Sequence, residues 1–233
     1  MPKITNEHYL QFIKQNEIEL IETDQLKDWL DSLGELKHPR KGSIEQSKAL
    51  LTAIYFTGAR PSEIVDVCAK DINQKKYSRQ WVYEIKLSTL KGGISRSIPI
   101  PKTPLTTKLY EYAKKQYPEA YIFHSFRSLC KNKVHWTQNK DMIVKENGNI
   151  THETFSETKS KEYIRKGKKV NDYISQWTGY PAYFFRHHRF SYMSDKGASD
   201  NDIQFYKGAK SPASVEPYKH MSTKRKEKLA KYF

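Results

Sequence analysis

Trp81, Tyr83, Ile85 and Leu87 alternate with Val82, Glu84 and Lys86. This is the period of a half-buried β-strand. Lys91-Gly92-Gly93 follows as a turn, and Ser95–Ile100 can return as the second strand of a hairpin. The segments on either side carry helical signals. Ser43 with Gln46 forms a capping-box signature, and the helix behind it puts Ile44, Leu50, Leu51, Ile54 and Tyr55 near one face, with Gly58 placed to end it. Pro61 fits the first turn of the next helix. Thr103-Pro104 opens a helix to about Gln116, and Val170–Trp177, Tyr183–Ser194 and Ser199–Tyr206 read as three more. A small sheet among helices, without alternating β-α units, predicts an α+β domain that is mostly α with a small antiparallel sheet.

Three segments follow from this pattern. Residues 1–36 form a short N-terminal helical segment, with Leu10, Ile13, Ile18, Leu20, Ile21, Leu26, Trp29 and Leu30 as its apolar positions. The stretch from Gly34 to Gly42 reads as a linker. Residues 37–222 form the main domain, with an insertion near 125–170 that carries 11 Lys or Arg against 5 Asp or Glu and the turn signal Asn147-Gly148. That insertion is expected to be a basic arm, with a solvated loop as the alternative. Residues 223–233 form a basic C-terminal tail or helix. Met221, Leu229 and Tyr232 share part of one helical face there, suited to docking on a neighbouring protomer, on its own domain, or on nothing.

The charge of the chain points to its partner class. It holds 41 Lys and Arg against 26 Asp and Glu, a formal charge of +15. Such an excess attracts a polyanion, and nucleic acid is the usual one. Cys68 and Cys130 are the two cysteines, too few for a disulfide framework, which predicts a reducing compartment. No stretch reaches the roughly 18 apolar residues that span a bilayer. The start, Met1-Pro2-Lys3-Ile4-Thr5-Asn6, lacks the apolar core of a signal peptide. The expectation is a soluble, cytoplasmic, nucleic-acid-associated protein without a membrane partner.

Four motifs occur in a fixed order: Thr57-Gly58-Ala59-Arg60-Pro61-Ser62-Glu63-Ile64, then Lys91-Gly92-Gly93-Ile94-Ser95-Arg96-Ser97-Ile98-Pro99-Ile100, then Tyr183-Phe184-Phe185-Arg186-His187, then Gly208 followed by Tyr218. Each is weak alone. The ordered set resembles the catalytic domain of the tyrosine recombinases, the phage integrase and Xer family, over roughly residues 40–222. The resemblance implies that family's helical catalytic-domain fold with its small antiparallel sheet. It also implies an enzyme that cuts and rejoins double-stranded DNA through a 3′-phosphotyrosine, and that assembles on DNA as a dimer or tetramer.

Each candidate residue has a chemical reason. A phosphodiester repels nucleophiles, and cutting it without a metal needs cations on the non-bridging oxygens. The planar fork of arginine donates two parallel hydrogen bonds to a phosphate. By resemblance Arg60 and Arg186 are those arginines, and Glu63 supports the first; a surface salt bridge with Glu63 is the ordinary alternative for Arg60. Lys91 corresponds to the lysine that protonates the leaving 5′ oxygen, and Lys86 is its rival, placed mid-strand. Lys91, Arg96 and Lys210 are the expected DNA contacts. Tyr218 corresponds to the nucleophile, singled out by its distance from Gly208 and by the Lys219-His220 that follows. Tyr206 and Tyr232 are the tyrosines to test if it is not. His187 matches a histidine that is usually structural. Adjacent residues on a helix point about 100° apart, so His187 and His188 are not expected to chelate a metal. No metal and no cofactor is expected.

Two positions depart from the family pattern. Tyr183 stands where histidine is usual, and Ala209 where histidine or tryptophan is usual. Tyrosine is a weaker base than histidine near neutral pH but still donates a hydrogen bond. The tyrosine resembles the integrases of fusellovirus-type archaeal viruses, which points to a virus or mobile element as the source. Lys210 is a candidate replacement for the donor missing at Ala209. Family members carry a separate helical domain before the catalytic one, and here about 40 residues precede it. The chain therefore reads as either a minimal recombinase or a fragment of a longer one. A type IB topoisomerase-like nicking-closing enzyme and a DNA-binding protein with impaired catalysis are the alternative functions.

Overall fold

The computed structural model describes residues 23–35, 42–88, 95–129, 131–137, 143–144, 150–151, 160–209, 211 and 213–215. Lys91, Lys210, Tyr218, Tyr232, the expected helix before residue 23, most of the Gly34–Gly42 linker, the Asn147-Gly148 turn and the 223–233 tail lie outside the described residues.

Helix α1 (Thr23–Gly34) leads to α2 (Ile44–Thr57) and the one-turn α3 (Pro61–Ile64). Strands β1 (Ile72–Tyr77), β2 (Gln80–Leu87) and β3 (Arg96–Pro101) follow, then α4 (Pro104–Lys114) and the short α5 (His124–Arg127). The insertion contributes β4 (Lys131–Thr137), β5 (Ile143–Val144), β6 (Ile150–Thr151) and β7 (Ser160–Lys166). Helices α6 (Lys168–Thr178), α7 (Ala182–Asp195) and α8 (Asp200–Lys207) complete the described chain. The result is mostly helical with a small antiparallel sheet. Among the described residues, no helix is long and apolar enough to cross a membrane.

Helix α2 is the centre of the core. Ser43 caps it by accepting from the Gln46 amide at 3.0 Å. The reciprocal half of the capping box is not made. Gln46 is buried, and its side chain instead donates to Tyr112 Oη and the Ile122 carbonyl. The sequence suggested one apolar face, but every residue from Ala49 to Thr57 is buried, because α1, α4, α7 and β3 all pack around the helix. Thr57 is accommodated by donating its hydroxyl to the Ala53 carbonyl at 2.6 Å.

The sheet order is β1-β2-β3, all antiparallel. Tyr83 pairs with Ile100, Ile85 with Ile98, and Leu87 with Arg96. Tyr83, Ile85 and Leu87 are buried as their alternation predicts, whereas Trp81 is 49% exposed. It sits at the turn end of the β1–β2 hairpin, opposite Lys76, whose ammonium lies 5.8 Å from the ring. Strand β1 went unpredicted because Asn73, Gln74, Lys75 and Lys76 carry no apolar alternation. Such a polar, lysine-bearing sequence suits an edge strand, where it blocks further pairing. In the insertion, β4 pairs with β7 and β5 with β6, so the ends of the arm are an antiparallel ribbon and not a loop.

If α2 is packed on all sides, truncating its centre is expensive. Leu51→Ala should lower the unfolding free energy by about 2–5 kcal/mol, measured by denaturant titration. A loss under about 1 kcal/mol would contradict that packing.

Candidate active site

The site begins where α2 ends. Gly58 adopts a left-handed conformation (φ 59°) and its N–H bonds the Ile54 carbonyl at 2.9 Å, closing the helix. Its own carbonyl accepts from Arg186 Nη1 at 2.8 Å. Two residues later Arg60 precedes Pro61, which favours extended backbone at Arg60 and makes it the N-cap of α3. Glu63, in the first turn, then accepts from the Arg60 amide at 3.0 Å and from Arg60 Nη1 at 3.0 Å. The Arg60 side chain is 52% exposed, while that of Glu63 is only 3% exposed. A buried carboxylate thus aims an exposed guanidinium.

Glu63 also accepts from Arg96 Nη2 at 3.1 Å. Arg96 is buried at 2% exposure, and its Nε donates to the Tyr206 carbonyl at 2.8 Å. This corrects the expectation that Arg96 contacts DNA: its position across from Leu87 on β3 turns it inward, and it braces α3 against α8. Arg186 donates from Nη2 to the Lys207 carbonyl at 2.8 Å. The two arginines therefore satisfy carbonyls in the last turn of α8, which a helix cannot bond internally. Gly208 ends α8 with φ 67°, and a Cβ there would lie 2.4 Å from Arg96 Nη1.

Tyr183 stands on the first turn of α7, 47% exposed. Helix α7 is capped from α6, whose Asn171 Oδ1 accepts from the Ala182 amide at 2.8 Å. Arg60, Tyr183 and Arg186 line one open cleft of about 310 Å³, together with Pro61, Ser62 and Asn171. The structure thus brings together three of the five expected catalytic residues; the other two, Lys91 and Tyr218, lie outside the described residues.

The electrostatics of the cleft are one-sided. Burial pushes the Glu63 carboxyl up, but Arg96, Arg186 and the Arg60 amide and guanidinium together hold it below its ordinary value. It remains ionised, yet one carboxylate faces several cations. Lys207, missed in the sequence, adds a cation beside Arg186, whose Nη2 bonds its carbonyl. Burial first, then Arg186 and Arg60, lower its pKa to about 8. Its only sequence signal is a lysine before the helix-ending glycine, a common exposed C-terminal pattern.

Tyr206 is held in the core. Its hydroxyl donates to the Phe56 carbonyl at 3.0 Å, it accepts from Arg189 Nη2, and burial raises its pKa. His187 and His188 are both buried with different neighbours: the His187 ring lies 4.5 Å edge-on from Tyr183, while His188 lies against Tyr55, Phe184 and Tyr192. Among the described residues, no three His, Cys, Asp or Glu side chains converge as metal ligands.

No family model and no curated protein matches the sequence. Solved structures do match. The XerH site-specific recombinase in a post-cleavage complex with palindromic difH substrate aligns at TM-score 0.55 and 16% identity, over 90% of this chain and 52% of that one. The pre-cleavage XerH complex with difH aligns at TM-score 0.52 and 17% identity, over 90% and 53%. The XerA recombinase aligns at TM-score 0.54 and 13% identity, over 92% and 63%. This chain has the tyrosine recombinase catalytic-domain fold. It spans about half the length of the XerH chains and 63% of XerA.

Two predictions follow from the buried network. Gly208→Ala forces a side chain into left-handed backbone and against Arg96, so it should cost at least about 1–2 kcal/mol by denaturant titration. A neutral effect would contradict the Arg96–α8 brace. Glu63 has a lowered folded pKa, so its stabilisation is full above the unfolded value of 4.5 and is lost as pH falls through the lowered one. Glu63→Gln should therefore destabilise the protein at pH 7 by about 3–5 kcal/mol and flatten its acid unfolding below pH 4.5. Unchanged thermal unfolding at pH 7 would remove Glu63 from the centre of the network.

Proposed function

We propose that this protein is a site-specific DNA recombinase, an integrase that cleaves and rejoins double-stranded DNA through a 3′-phosphotyrosine without metal or cofactor. The observation that carries this reading is the meeting of Arg60, Tyr183 and Arg186 at one cation-rich cleft, on elements from opposite ends of the sequence. The recombinase fold and the net charge of +15 support the same reading.

In this mechanism a scissile phosphate lies in the cleft. Arg60 and Arg186 bind its non-bridging oxygens and offset the charge that builds during attack. Tyr183 donates a further hydrogen bond to the phosphate from the place where the family usually has histidine. The Tyr218 phenolate attacks phosphorus, the bond to the 5′ oxygen breaks, and Lys91 supplies the proton to that leaving oxygen. The new phosphotyrosyl bond conserves the energy of the old one, so religation by the 5′ hydroxyl needs no ATP. Lys210 is a further DNA contact and auxiliary donor, and His187 steadies Tyr183 from beneath.

The finer reading is an integrase of a virus or mobile element, nearest in pattern to archaeal fusellovirus-type enzymes because of Tyr183. It acts on DNA inside the host cell and assembles there as a dimer or tetramer, with the 223–233 tail docking on a neighbouring protomer. The basic arm at 125–170 extends the DNA-binding surface.

A duplex nicked near the cleavage site tests the chemistry, because loss of the short strand traps the covalent product. Wild-type protein should form the adduct and Tyr218→Phe should not, while DNA binding stays nearly intact. Arg60→Ala and Arg186→Ala should each slow trapping ~10²–10³-fold, and lysine at either position should rescue poorly. An adduct formed at wild-type rate by Tyr218→Phe or by the lysine variants would overturn these roles. Lys91→Ala should be largely rescued by a 5′-bridging phosphorothiolate, whose thiolate leaves without a proton. An equal defect on both substrates would rule out the acid role.

A further inference from the structure

We propose that Lys207 is a further catalytic residue, a third cation that donates to the same phosphate oxygens as Arg60 and Arg186. The proposal rests on reading the cleft as a phosphate site. Lys207 is the last residue of α8, and its carbonyl is bonded by Arg186 Nη2 at 2.8 Å, which fixes its backbone against that guanidinium. Its ammonium donates to the carbonyl of Ser214. Ser214 belongs to a short helical turn whose last residue, Val215, is fully buried and stands three positions before Tyr218 in the sequence. Lys207 therefore lies between the phosphate-binding arginine and the segment leading to the nucleophile. An ammonium has three N–H donors on a flexible stem, so one carbonyl bond is compatible with a second to a bound oxyanion.

Its surroundings suit an anion. The cations that act on it are Arg186 on α7 and Arg60 on α3; Arg189 on α7 and Arg96 on β3 hold the neighbouring Tyr206, and Glu63 lies on α3. Glu63 is engaged by Arg60 and Arg96. A lysine at a helix C-terminus is normally stabilised in its charged form by the helix dipole. Here burial and the two arginines shift its pKa the other way, to about 8. The sign of the linkage follows. Between that value and the ordinary 10.5 the folded protein binds fewer protons than the unfolded chain, so stability rises with pH across the window. Below it, the positive charge disfavours the folded state. A cation held among cations at a cost to stability is what a preorganised oxyanion site requires.

The test compares full-length wild type, Lys207→Met and Lys207→Arg. Adduct formation on the nicked duplex, thermal unfolding at pH 7, and NMR titration of the Lys207 side chain with and without inorganic phosphate are measured together. Lys207→Met should unfold at or above the wild-type temperature while forming adduct about 10²-fold more slowly, and Lys207→Arg should recover part of that rate. Phosphate should raise the Lys207 titration midpoint above about 8. A Lys207→Met protein that forms adduct within about twofold of wild type would overturn the proposal. So would a midpoint that phosphate leaves unmoved, together with a lower unfolding temperature, the mark of a structural tie to Ser214. If wild-type protein forms no adduct, the recombinase reading fails, and the phosphate titration still decides whether Lys207 belongs to an anion site.

Discussion

The Glu63 carboxylate is the buried anion on which the cleft depends. It is bonded by the Arg60 amide, the Arg60 guanidinium and the Arg96 guanidinium, and the charge of Arg186 acts on it as well. A lone buried carboxylate would be expensive, and so would clustered arginines without an anion. Together they are stable, and the geometry follows. Arg60 is aimed outward from the N-cap of α3, Arg96 is drawn into the core, and Arg96 in turn holds the end of α8 through the Tyr206 carbonyl. Gly208 is then required, because a side chain there would collide with Arg96.

That scaffold leaves the cleft with more positive charge than Glu63 offsets. Arg186 is locked by the carbonyls of Gly58 and Lys207, so its guanidinium is preorganised. These side chains sit on helix ends braced by the core helix α2, which gives the precision that loops alone would not. The exposed members, Arg60 and Tyr183, face the cleft from separate elements, α3 and α7. The fold is that of a tyrosine recombinase catalytic domain, and the excess of cations at the cleft is what the proposed use, holding a phosphodiester while a nucleophile attacks it, requires.

Much of this was legible in the sequence because local signals and tertiary roles agreed. Ser43, Gly58, Pro61 and Ser199 marked helix ends that the structure contains. Arg60, Tyr183 and Arg186 were recognisable from their motifs, and they meet. The failures have physical causes. Strand β1 is polar because it is an edge, so it has no apolar period to find. Arg96 looked like a surface cation because arginine usually is one; only the Glu63 carboxylate and the open C-terminal turn of α8 make its burial favourable. Lys207 was invisible for the complementary reason. A lysine at the end of a helix is ordinary until two arginines from distant segments are placed beside it. Ile44, Leu50, Leu51, Ile54 and Tyr55 mark one apolar face in the sequence, and the all-round burial of α2 comes from four packing partners that no single helix sequence encodes.

The most direct test of the account is to identify the atom that carries the DNA. Covalent product trapped on a nicked duplex, digested with nuclease and protease and sequenced by tandem mass spectrometry, should yield a peptide bearing a 3′-linked nucleotide on Tyr218. A nucleotide on Tyr206 or any other residue, or a 5′ linkage, would contradict the placement of the phosphate between Arg60 and Arg186 and the mechanism built upon it.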